Sequence, residues 1–520
     1  MKTSIPAMVL CAMAFNAAYA QETSISAFKP TEVNWYNADL KDNQVMGASV
    51  DKTYKELLAN NKAKKTVIVA IIDSGVDINH EDLKGKIWRN EKEIPNNNID
   101  DDHNGYVDDL YGWNFLGNAK GENIDYENYE YTRIYKAGRG AKDYAAAKKL
   151  YEAELEKRTA EKANLVRFSE RYNTAKNLIR EKAGTDVKKA DDLTFITAAD
   201  VGIPEAVAFL KRVYANGFSE QSLEQMVKRN ADFFDYYLNV DFNPRAIAGD
   251  NPEDITDNHY GNPDVTGPRA DHGTGVAGIV AAVRGNGLGI DGVATDVKLM
   301  ILRSTPNGDE RDKDVALAIR YAVDNGADII NMSFGKAFSP QRSLVDAAIK
   351  LAEQKNVLLV HAAGNEGVSI DDSMRYPSDA YSDGTEAGNF INVGANTMKA
   401  DNTVACVFSN YGEKHVDLFA PGDDIVATDE KNTYSQHSGT SEAAPVVAGV
   451  AALVLSYYPE LTPKQLIAIL LDSATNLKAQ KVLQPDLKKE QREEVTFGEL
   501  SKSGGVVNAY EAMKLAAGKR

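Results

Sequence analysis

The sequence predicts an α/β fold, a doubly wound and mostly parallel sheet flanked by helices. The first observation is a set of short apolar, β-branched runs, typical of strands buried on both faces of a parallel sheet. They lie at 67–72, 298–302, 328–332, 357–360 and 390–393. The second is the helical pattern between them, at 314–324 and 343–354. Strands that alternate with helices build this architecture.

Composition and charge exclude several classes of protein. The chain has 520 residues, of which 43% are apolar, which is enough for a packed core. Its net charge of -17 argues against nucleic acid as a partner, because that would need clustered Lys and Arg. The same acidity also suits a secreted protein that simply has to stay soluble. We expect a monomer.

Residues 1–20 resemble a secretory signal peptide. Lys2 precedes an apolar run at 5–18, and residues 18–20 form a small-residue cleavage site. We therefore expect export to the periplasm or beyond the cell, with 21–60 as an N-terminal segment of the mature chain. An uncleaved membrane anchor is the alternative, although the run is shorter than a membrane span.

Removal of the predicted signal leaves a single thiol. Of the two cysteines, Cys11 lies inside the signal and Cys406 remains, so an intramolecular disulfide is excluded. No further stretch is predicted to span a bilayer. Stability outside the cell must then come from packing and a metal.

A helical insertion interrupts the α/β domain. The α/β domain is expected at 61–116 and 256–520, and the charged segment 117–255 between them carries helical patterns. One apolar stripe in it repeats at spacings of three and four: Leu165, Phe168, Tyr172, Ala175 and Ile179. The insertion is either a surface decoration without a part in the chemistry, or a device that covers the cleft or assists folding.

Three glycine-flanked segments supply an acid, a base and a nucleophile. Asp73 ends the first predicted strand, and His272 and Ser441 each begin a predicted helix. A serine hydroxyl needs an imidazole to take its proton and a carboxylate to orient that imidazole. The order acid, base, serine is one known solution. His80 is the competing base, but its closeness to Asp73 in sequence indicates that it packs the following turn.

The same rim of the sheet is expected to stabilise negative charge. The Ser441 amide, at a helix N-terminus, can point at an oxyanion. Asn365 follows Gly364 at a strand end and can add a side-chain amide, although an ordinary turn is the alternative for a Gly-Asn pair. Ligands of such sheets bind beyond the carboxyl ends of the strands, so Asp73, 333–335 and Asn365 should share one rim.

An aspartate-rich loop at 100–109 alternates oxygen ligands and contains a glycine for a sharp bend. It resembles the first two-thirds of an EF-hand loop, although no Glu follows at the closing bidentate position. We expect a structural calcium ion here, and a solvated acidic turn is the alternative. The expected ligands are the side chains of Asp100, Asp102, Asn104 and Asp108 with the Tyr106 carbonyl.

Taken together, these residues resemble the subtilisin family of serine peptidases, the subtilases. The family's motifs occur in the family's order: Asp-Ser-Gly at 73–75, His-Gly-Thr at 272–274, Ser-Phe-Gly at 333–335, Ala-Ala-Gly-Asn at 362–365 and Gly-Thr-Ser at 439–441. The resemblance covers about 67–109 and 261–516. It leaves the helical insertion outside, and it implies a subtilisin-like fold for the α/β domain.

The resemblance implies a secreted endopeptidase that cleaves polypeptides through an acyl-enzyme. Asp73 becomes the orienting acid, His272 the general base, Ser441 the nucleophile and Asn365 the oxyanion donor. Substrate backbone is expected to pair as an added strand with Ser333, Phe334, Gly335 and Gly364. Several members bind calcium near the acid, which supports the ion in the 100–109 loop.

Two rival functions stay open. The first is a catalytically silent binding protein that uses the insertion for recognition, although such a protein has no need of a complete triad. The second is a related acid peptidase with Glu as base, which the glycine setting of His272 opposes.

Three departures from the family pattern matter, and one of them is Gly275, which stands where a second His is common. Glu442 follows the serine where the family usually has Met, and an inward-pointing carboxylate would favour protonated His272 and shift activity to alkaline pH. In addition, 199 positions separate Asp73 from His272, far more than is usual.

Overall fold

The computed structural model of the chain describes residues 23–194, 196 and 202–518. The predicted signal peptide at 1–20 lies outside the described residues. The chain divides into two compact units. The first comprises the residues up to Asp125 and from Pro244 onward, and the second is Tyr126–Asn243. Both boundaries of the second unit lie inside the predicted insertion.

The first unit contains one mostly parallel sheet and two small antiparallel hairpins. Its strands are β1 (Val67–Asp73), β2 (Gly112–Asn114), β3 (Val297–Arg303), β4 (Ile329–Met332), β5 (Leu358–Ala362), β6 (Phe390–Asn396), β7 (Leu418–Pro421), β8 (Ile425–Asp429), β9 (Thr433–His437), β10 (Thr475–Asn476), β11 (Lys481–Leu483), β12 (Glu494–Thr496) and β13 (Gly505–Val506). The large sheet has the order β10-β13-β7-β6-β5-β4-β1-β3-β2. Only the β10–β13 pair in it is antiparallel among the described strands. This is the predicted fold class.

Strand β1 shows why the sheet lies in the middle of the unit. Its side chains alternate between faces, as in any strand. Val67, Val69 and Ile71 pack into one hydrophobic core, and Ala70 and Ile72 into a second core on the other face. The apolar run of this strand therefore has its side chains packed on both faces of the sheet.

Helices cover both faces of the sheet, as the doubly wound prediction requires. Those of the first unit with eight or more residues are Asp271–Ala281, Asp312–Asp324, Arg342–Gln354, Thr440–Tyr457, Pro463–Asp472 and Ala509–Gly518. The helices 271–281 and 440–457 share the core of Val67, whereas 312–324 and 342–354 pack in the core of Ala70. Both faces of the strands are thereby removed from water.

One of these helices corrects a prediction. Thr440–Tyr457 is long and apolar enough to cross a membrane, contrary to the expectation that no further stretch is. Within the protein 94% of this segment is buried. Its apolar composition is explained by its place in the core between the sheet and the neighbouring helices.

The second unit is helical. Its α-helices are Glu130–Ala137, Tyr144–Ala183, Ile203–Ala215 and Glu220–Asp232. Of the predicted apolar stripe, Tyr172, Ala175 and Ile179 are buried in the core of this unit. The Tyr172 and Tyr214 hydroxyls are 2.9 Å apart and form a buried hydrogen bond. The stripe therefore faces the partner helices of the same unit.

Candidate active site

The acid and the base meet at the end of β1. Asp73 is the last residue of that strand and is 1% exposed. Its Oδ1 lies 2.7 Å from His272 Nδ1, and it also accepts a hydrogen bond of 2.7 Å from the Ser74 amide. His272 is the second residue of the helix Asp271–Ala281. The carboxylate is thus placed to hold the imidazole by its Nδ1 side.

Glycines make this approach of helix and strand possible. A Cβ at Gly273 would lie 2.0 Å from the Gly75 carbonyl oxygen. Gly75 itself has a φ of +121°, and a Cβ there would lie 2.2 Å from the Thr266 carbonyl oxygen. Any larger side chain would push the helix that carries His272 away from Asp73. The glycine flanks of the motif are therefore a steric requirement.

The charges around His272 favour its protonated form. Burial lowers the pKa of the imidazole, but the charge and hydrogen bond of Asp73 outweigh it, and the pKa is raised to about 9. The nearby carboxylates of Glu442 and Asp271 add to this effect. The side chain of His272 is still 34% exposed, so the base remains open to the cleft.

Ser441 stands at the beginning of the core helix Thr440–Tyr457. Its Oγ donates a hydrogen bond of 3.1 Å to the Ser333 carbonyl oxygen, and Ser333 Oγ donates one of 2.8 Å to the Ser441 carbonyl oxygen. Among the described residues, the Ser441 hydroxyl has this hydrogen bond rather than one to His272. Bonds of that kind often form only when substrate is present.

A cavity joins the base to the Ser441 neighbourhood. It has a volume of about 190 Å³ and is lined in part by Asp73, His272, Arg303, Asn307 and Ser333. Ser333 also exchanges two hydrogen bonds with Ser441, so the expected nucleophile lies next to a residue that lines this cavity. His80, the rival base, is 1% exposed and accepts the Asp82 amide through Nδ1, as expected of a residue that packs its turn.

The Asn365 amide is oriented by Thr440, a residue that the sequence analysis did not single out. Asn365 Oδ1 accepts hydrogen bonds from Thr440 N (2.8 Å) and Oγ1 (3.0 Å). Its Nδ2 therefore points the other way and lies 3.2 Å from the point where a Cβ of Gly439 would be. The Ser441 amide nitrogen lies 3.5 Å from that same point. The Asn365 side-chain amide and the Ser441 backbone amide thus both lie beside Gly439, close to each other.

The predicted substrate-binding segment continues β4 at the same edge. Gly335 is exposed and Phe334 is half-buried. Directly after them, Lys336 and Tyr376 exchange backbone hydrogen bonds of 3.0 and 2.9 Å, so the segment leads into an antiparallel bridge. Gly364 lies across from it, where its amide donates to Thr440 Oγ1 at 3.0 Å. Extended backbone of this kind can accept an added strand.

The acidic loop brings together a different ligand set from the expected one. Asp100 and Asp102 each place a carboxylate oxygen within 4.8 Å of one on Glu93, which lies upstream of the loop. Asp108 lies outside this cluster, and its carboxylate instead accepts the amides of Asn97 and Asn98. A turn of this type uses the short Asp side chain to satisfy backbone donors.

Four further hydrogen bonds of Glu93 and Asn104 hold the loop. Glu93 accepts the amides of Asp101 and Asp102 through Oε1, at 2.9 and 3.1 Å. Asn104 directs its Nδ2 to Asp109, at 2.9 Å, while its Oδ1 accepts the Tyr106 amide at 2.8 Å. Glu93 was missed because it precedes the loop, where no ligand spacing points to it.

The chain is similar to known serine peptidases. The family model for subtilases matches residues 64–486. The thermophilic serine proteinase of Bacillus sp. (strain AK1) is 38% identical over 221 residues, 42% of this chain and 49% of that protein. The major intracellular serine protease of Bacillus subtilis (strain 168) is 36% identical over 230 residues, 44% of this chain and 67% of that protein. The chain thus spans about half of the first relative and two thirds of the second.

Solved structures are also similar to part of the chain. The structure of the subtilase cytotoxin SubAB assembly has 25% sequence identity and a TM-score of 0.41. The match covers 50% of this chain and 81% of that chain.

Proposed function

The chain belongs to the subtilase family of serine peptidases, and from this premise we propose that it hydrolyses peptide bonds through an acyl-enzyme on Ser441. The observation that carries the proposal is the 2.7 Å contact between Asp73 Oδ1 and His272 Nδ1 beside a serine at a helix N-terminus. The order and chemistry of these three groups match the known acid, base and nucleophile arrangement.

The first step forms the acyl-enzyme. Ser441 Oγ attacks the carbonyl carbon of the scissile peptide, and its proton passes to Nε2 of His272. Asp73 holds the Nδ1 hydrogen, which leaves Nε2 free to accept that proton, and its charge stabilises the imidazolium that results. In the structure the Ser441 hydroxyl donates a hydrogen bond to the Ser333 carbonyl oxygen. This hydrogen bond breaks when His272 takes the proton.

The negative oxygen of the tetrahedral intermediate requires donors that are already in place. Asn365 Nδ2 and the Ser441 amide, which lie close to each other beside Gly439, would supply two of them. Because Thr440 anchors Asn365 Oδ1 with two hydrogen bonds, the donor needs no reorientation during the reaction. This preorganisation is the main source of rate enhancement in such sites.

Departure of the amine completes the first step, and hydrolysis then regenerates the enzyme. The imidazolium of His272 gives its proton to the amine nitrogen, the C–N bond breaks, and the amine leaves the acyl-enzyme on Ser441. In the second step a water loses a proton to His272 as it attacks the acyl carbon, and the ester bond to Ser441 breaks as His272 returns that proton to Ser441 Oγ. Substrate backbone is held through Ser333, Phe334, Gly335 and Gly364, which makes recognition tolerant of substrate sequence.

The acidic loop fits a structural calcium ion. Carboxylate oxygens are the ligands that calcium prefers, and three of them converge at Glu93, Asp100 and Asp102. Their mutual repulsion would be relieved by a bound cation. The ion would stabilise the loop and takes no part in the reaction. Calcium removal by a chelator should lower the unfolding temperature, and Glu93→Gln should abolish that difference; equal unfolding temperatures with and without calcium would contradict the site.

We further propose that the protein acts after export, to the periplasm or outside the cell, as a monomer on polypeptide substrates. The proposal rests on the signal-like residues 1–20 and on the acidic composition. Cell fractionation of the expressing organism, with mass spectrometry of the mature N-terminus, tests it. A protein that keeps residues 1–20 in the cytoplasm would contradict it.

Labelling with a fluorophosphonate probe tests the catalytic proposal. The wild-type protein should be labelled on Ser441 and should cleave a general protein substrate, whereas Ser441→Ala should show neither reaction. His80→Ala, which alters the rival histidine, should still be labelled if it folds. No labelling of the folded wild-type protein would favour the catalytically silent binding protein.

A further inference from the structure

The side chain of Glu442 lies beside the two expected oxyanion donors. A Cβ built on Gly439 would lie 2.7 Å from Glu442 Oε2, 3.2 Å from Asn365 Nδ2 and 3.5 Å from Ser441 N. The Glu442 carboxyl group and the Asn365 side-chain amide therefore both lie against Gly439, near the Ser441 backbone amide. Glu442 is 7% exposed, so bulk water screens its charge poorly.

The charges of three groups on other elements act on the Glu442 carboxyl group. The groups are His437 at the end of β9, His272 on the helix 271–281, and Asp73 at the end of β1. Burial raises the pKa of Glu442, while the two histidines act in the opposite direction. In return, the Glu442 carboxylate helps to raise the pKa of His272 to about 9, after the larger effect of Asp73.

The charge state of Glu442 affects the proposed reaction in two ways, through the oxyanion and through His272. An ionised Glu442 would oppose the negative charge that develops on the substrate oxygen, and it would retain the proton on His272, where a base must be neutral. A protonated Glu442 removes both obstacles, and its O–H can donate a hydrogen bond toward the oxygen. Family members with an apolar residue at this position avoid this conflict of charges. The site of this chain contains it, because Glu442 occupies the position.

We propose that Glu442 is a further member of the oxyanion pocket, which shares one proton with His272 and permits reaction only when that proton is on Glu442. The proposal rests on the proposed peptidase function. With two protons on the pair, His272 is charged and cannot act as base. With none, the Glu442 carboxylate opposes the oxyanion.

The pH dependence follows from counting protons. The reactive form, with the proton on Glu442, and the unreactive form, with the proton on His272, carry the same total charge. Their ratio therefore does not change with pH, and the rate follows a bell-shaped profile. On the acid side the rate falls because the pair of Glu442 and His272 takes up a second proton. On the alkaline side it falls because the pair loses the shared proton.

The test is the second-order rate constant for fluorophosphonate labelling of Ser441, measured from acid to alkaline pH and corrected for hydrolysis of the probe. The rate constant of the wild-type protein should show a bell-shaped dependence on pH. Glu442→Gln is neutral, nearly isosteric and still a donor. Its profile should lose the alkaline limb, move the acid limb to lower pH because the His272 pKa falls, and reach a faster plateau. Glu442→Met should also lose the alkaline limb, which keeps the test decisive if one variant fails to fold.

A matched control is Asp346→Asn. Asp346 is also 7% exposed, but it lies on the helix 342–354 and is not among the groups that shift the pKa of His272. Its profile should superimpose on that of wild type. An alkaline limb that persists in folded Glu442→Gln, or that also disappears in Asp346→Asn, would overturn the proposal. A wild-type protein that is not labelled at any pH would instead overturn the peptidase function on which it rests.

Discussion

The two units of the chain differ in how tightly the main chain packs around the glycines inside each of them. In the first, backbone packs directly against backbone at the site: a Cβ on Gly273 would be 2.0 Å from one carbonyl oxygen, and one on Gly75 would be 2.2 Å from another. In the helical unit, Gly138, Gly140 and Gly184 have no atom within 4 Å of an added Cβ. The first unit thus depends on close main-chain approach at Gly273 and Gly75, a kind of contact that these three glycines of the helical unit do not make.

The use of charge differs as well. The first unit buries an ionic network in which Arg245 contacts Asp314 and Lys313 contacts Asp250, both at 2.8 Å. Many ion pairs of the helical unit lie near its surface, such as Lys228 with Asp232. Buried pairs are costly to break, while exposed ones contribute little. Substitutions should therefore be less well tolerated in the first unit than in the second.

The largest contrast should come from one asparagine in each unit. Asn365→Ala removes an oxyanion donor and should lower kcat about 10²–10³-fold on any peptide that the wild type cleaves. Asn230, 6% exposed in the helical unit, is the matched control, and Asn230→Ala should leave kcat unchanged. Steady-state kinetics of the two purified variants measures this. A near-normal rate for Asn365→Ala would remove Asn365 from the oxyanion pocket.

A pair of glycines tests the packing difference directly. Gly273→Ala forces a methyl group against the Gly75 carbonyl oxygen and should cost about 3 kcal/mol or more of folding free energy, at the upper end for overpacking. Gly140→Ala, which meets nothing within 4 Å, should change it by no more than about 0.5 kcal/mol. Denaturant unfolding measures both. Equal stabilities would show that the helix of His272 can shift without cost.

The smallest effect is expected inside the helical unit. Tyr172→Phe removes the buried hydrogen bond to Tyr214 and should cost about 1 kcal/mol, because the Tyr214 hydroxyl still reaches the Val187 carbonyl oxygen at 3.3 Å. Amide hydrogen exchange of residues 144–183 measures the loss. Fluorophosphonate labelling should stay at the wild-type rate. A slower labelling rate would instead couple this unit to the active site.

The architecture could be predicted because it is encoded in local patterns. The apolar run at 67–72 became β1, Val67–Asp73, and the run at 390–393 became part of β6. Continuous β-branched runs have few alternatives to a buried strand. The core helix Thr440–Tyr457 was anticipated as a helix but not as a potential membrane span, since burial depends on what packs around it.

The acidic loop at 100–109 shows the limit of prediction from sequence patterns. Alternating oxygen ligands at 100–108 indicated a cation site, but the side chain of Asp108 satisfies two backbone amides instead. The third carboxylate of the cluster comes from Glu93. Spacing within a loop predicts which groups are available, while the fold of the preceding turn decides which of them converge.

The sequence by itself determined the strand and helix order and the identity of the reactive groups, because periodicity and glycine-flanked motifs act over a few residues. Tertiary structure alone decided how those groups are oriented. Thr440 fixes the orientation of the Asn365 side-chain amide from 75 positions away, and Glu442 comes to lie near that amide. Both contacts arise because the carboxyl ends of the parallel strands and the start of the core helix meet at one edge of the sheet.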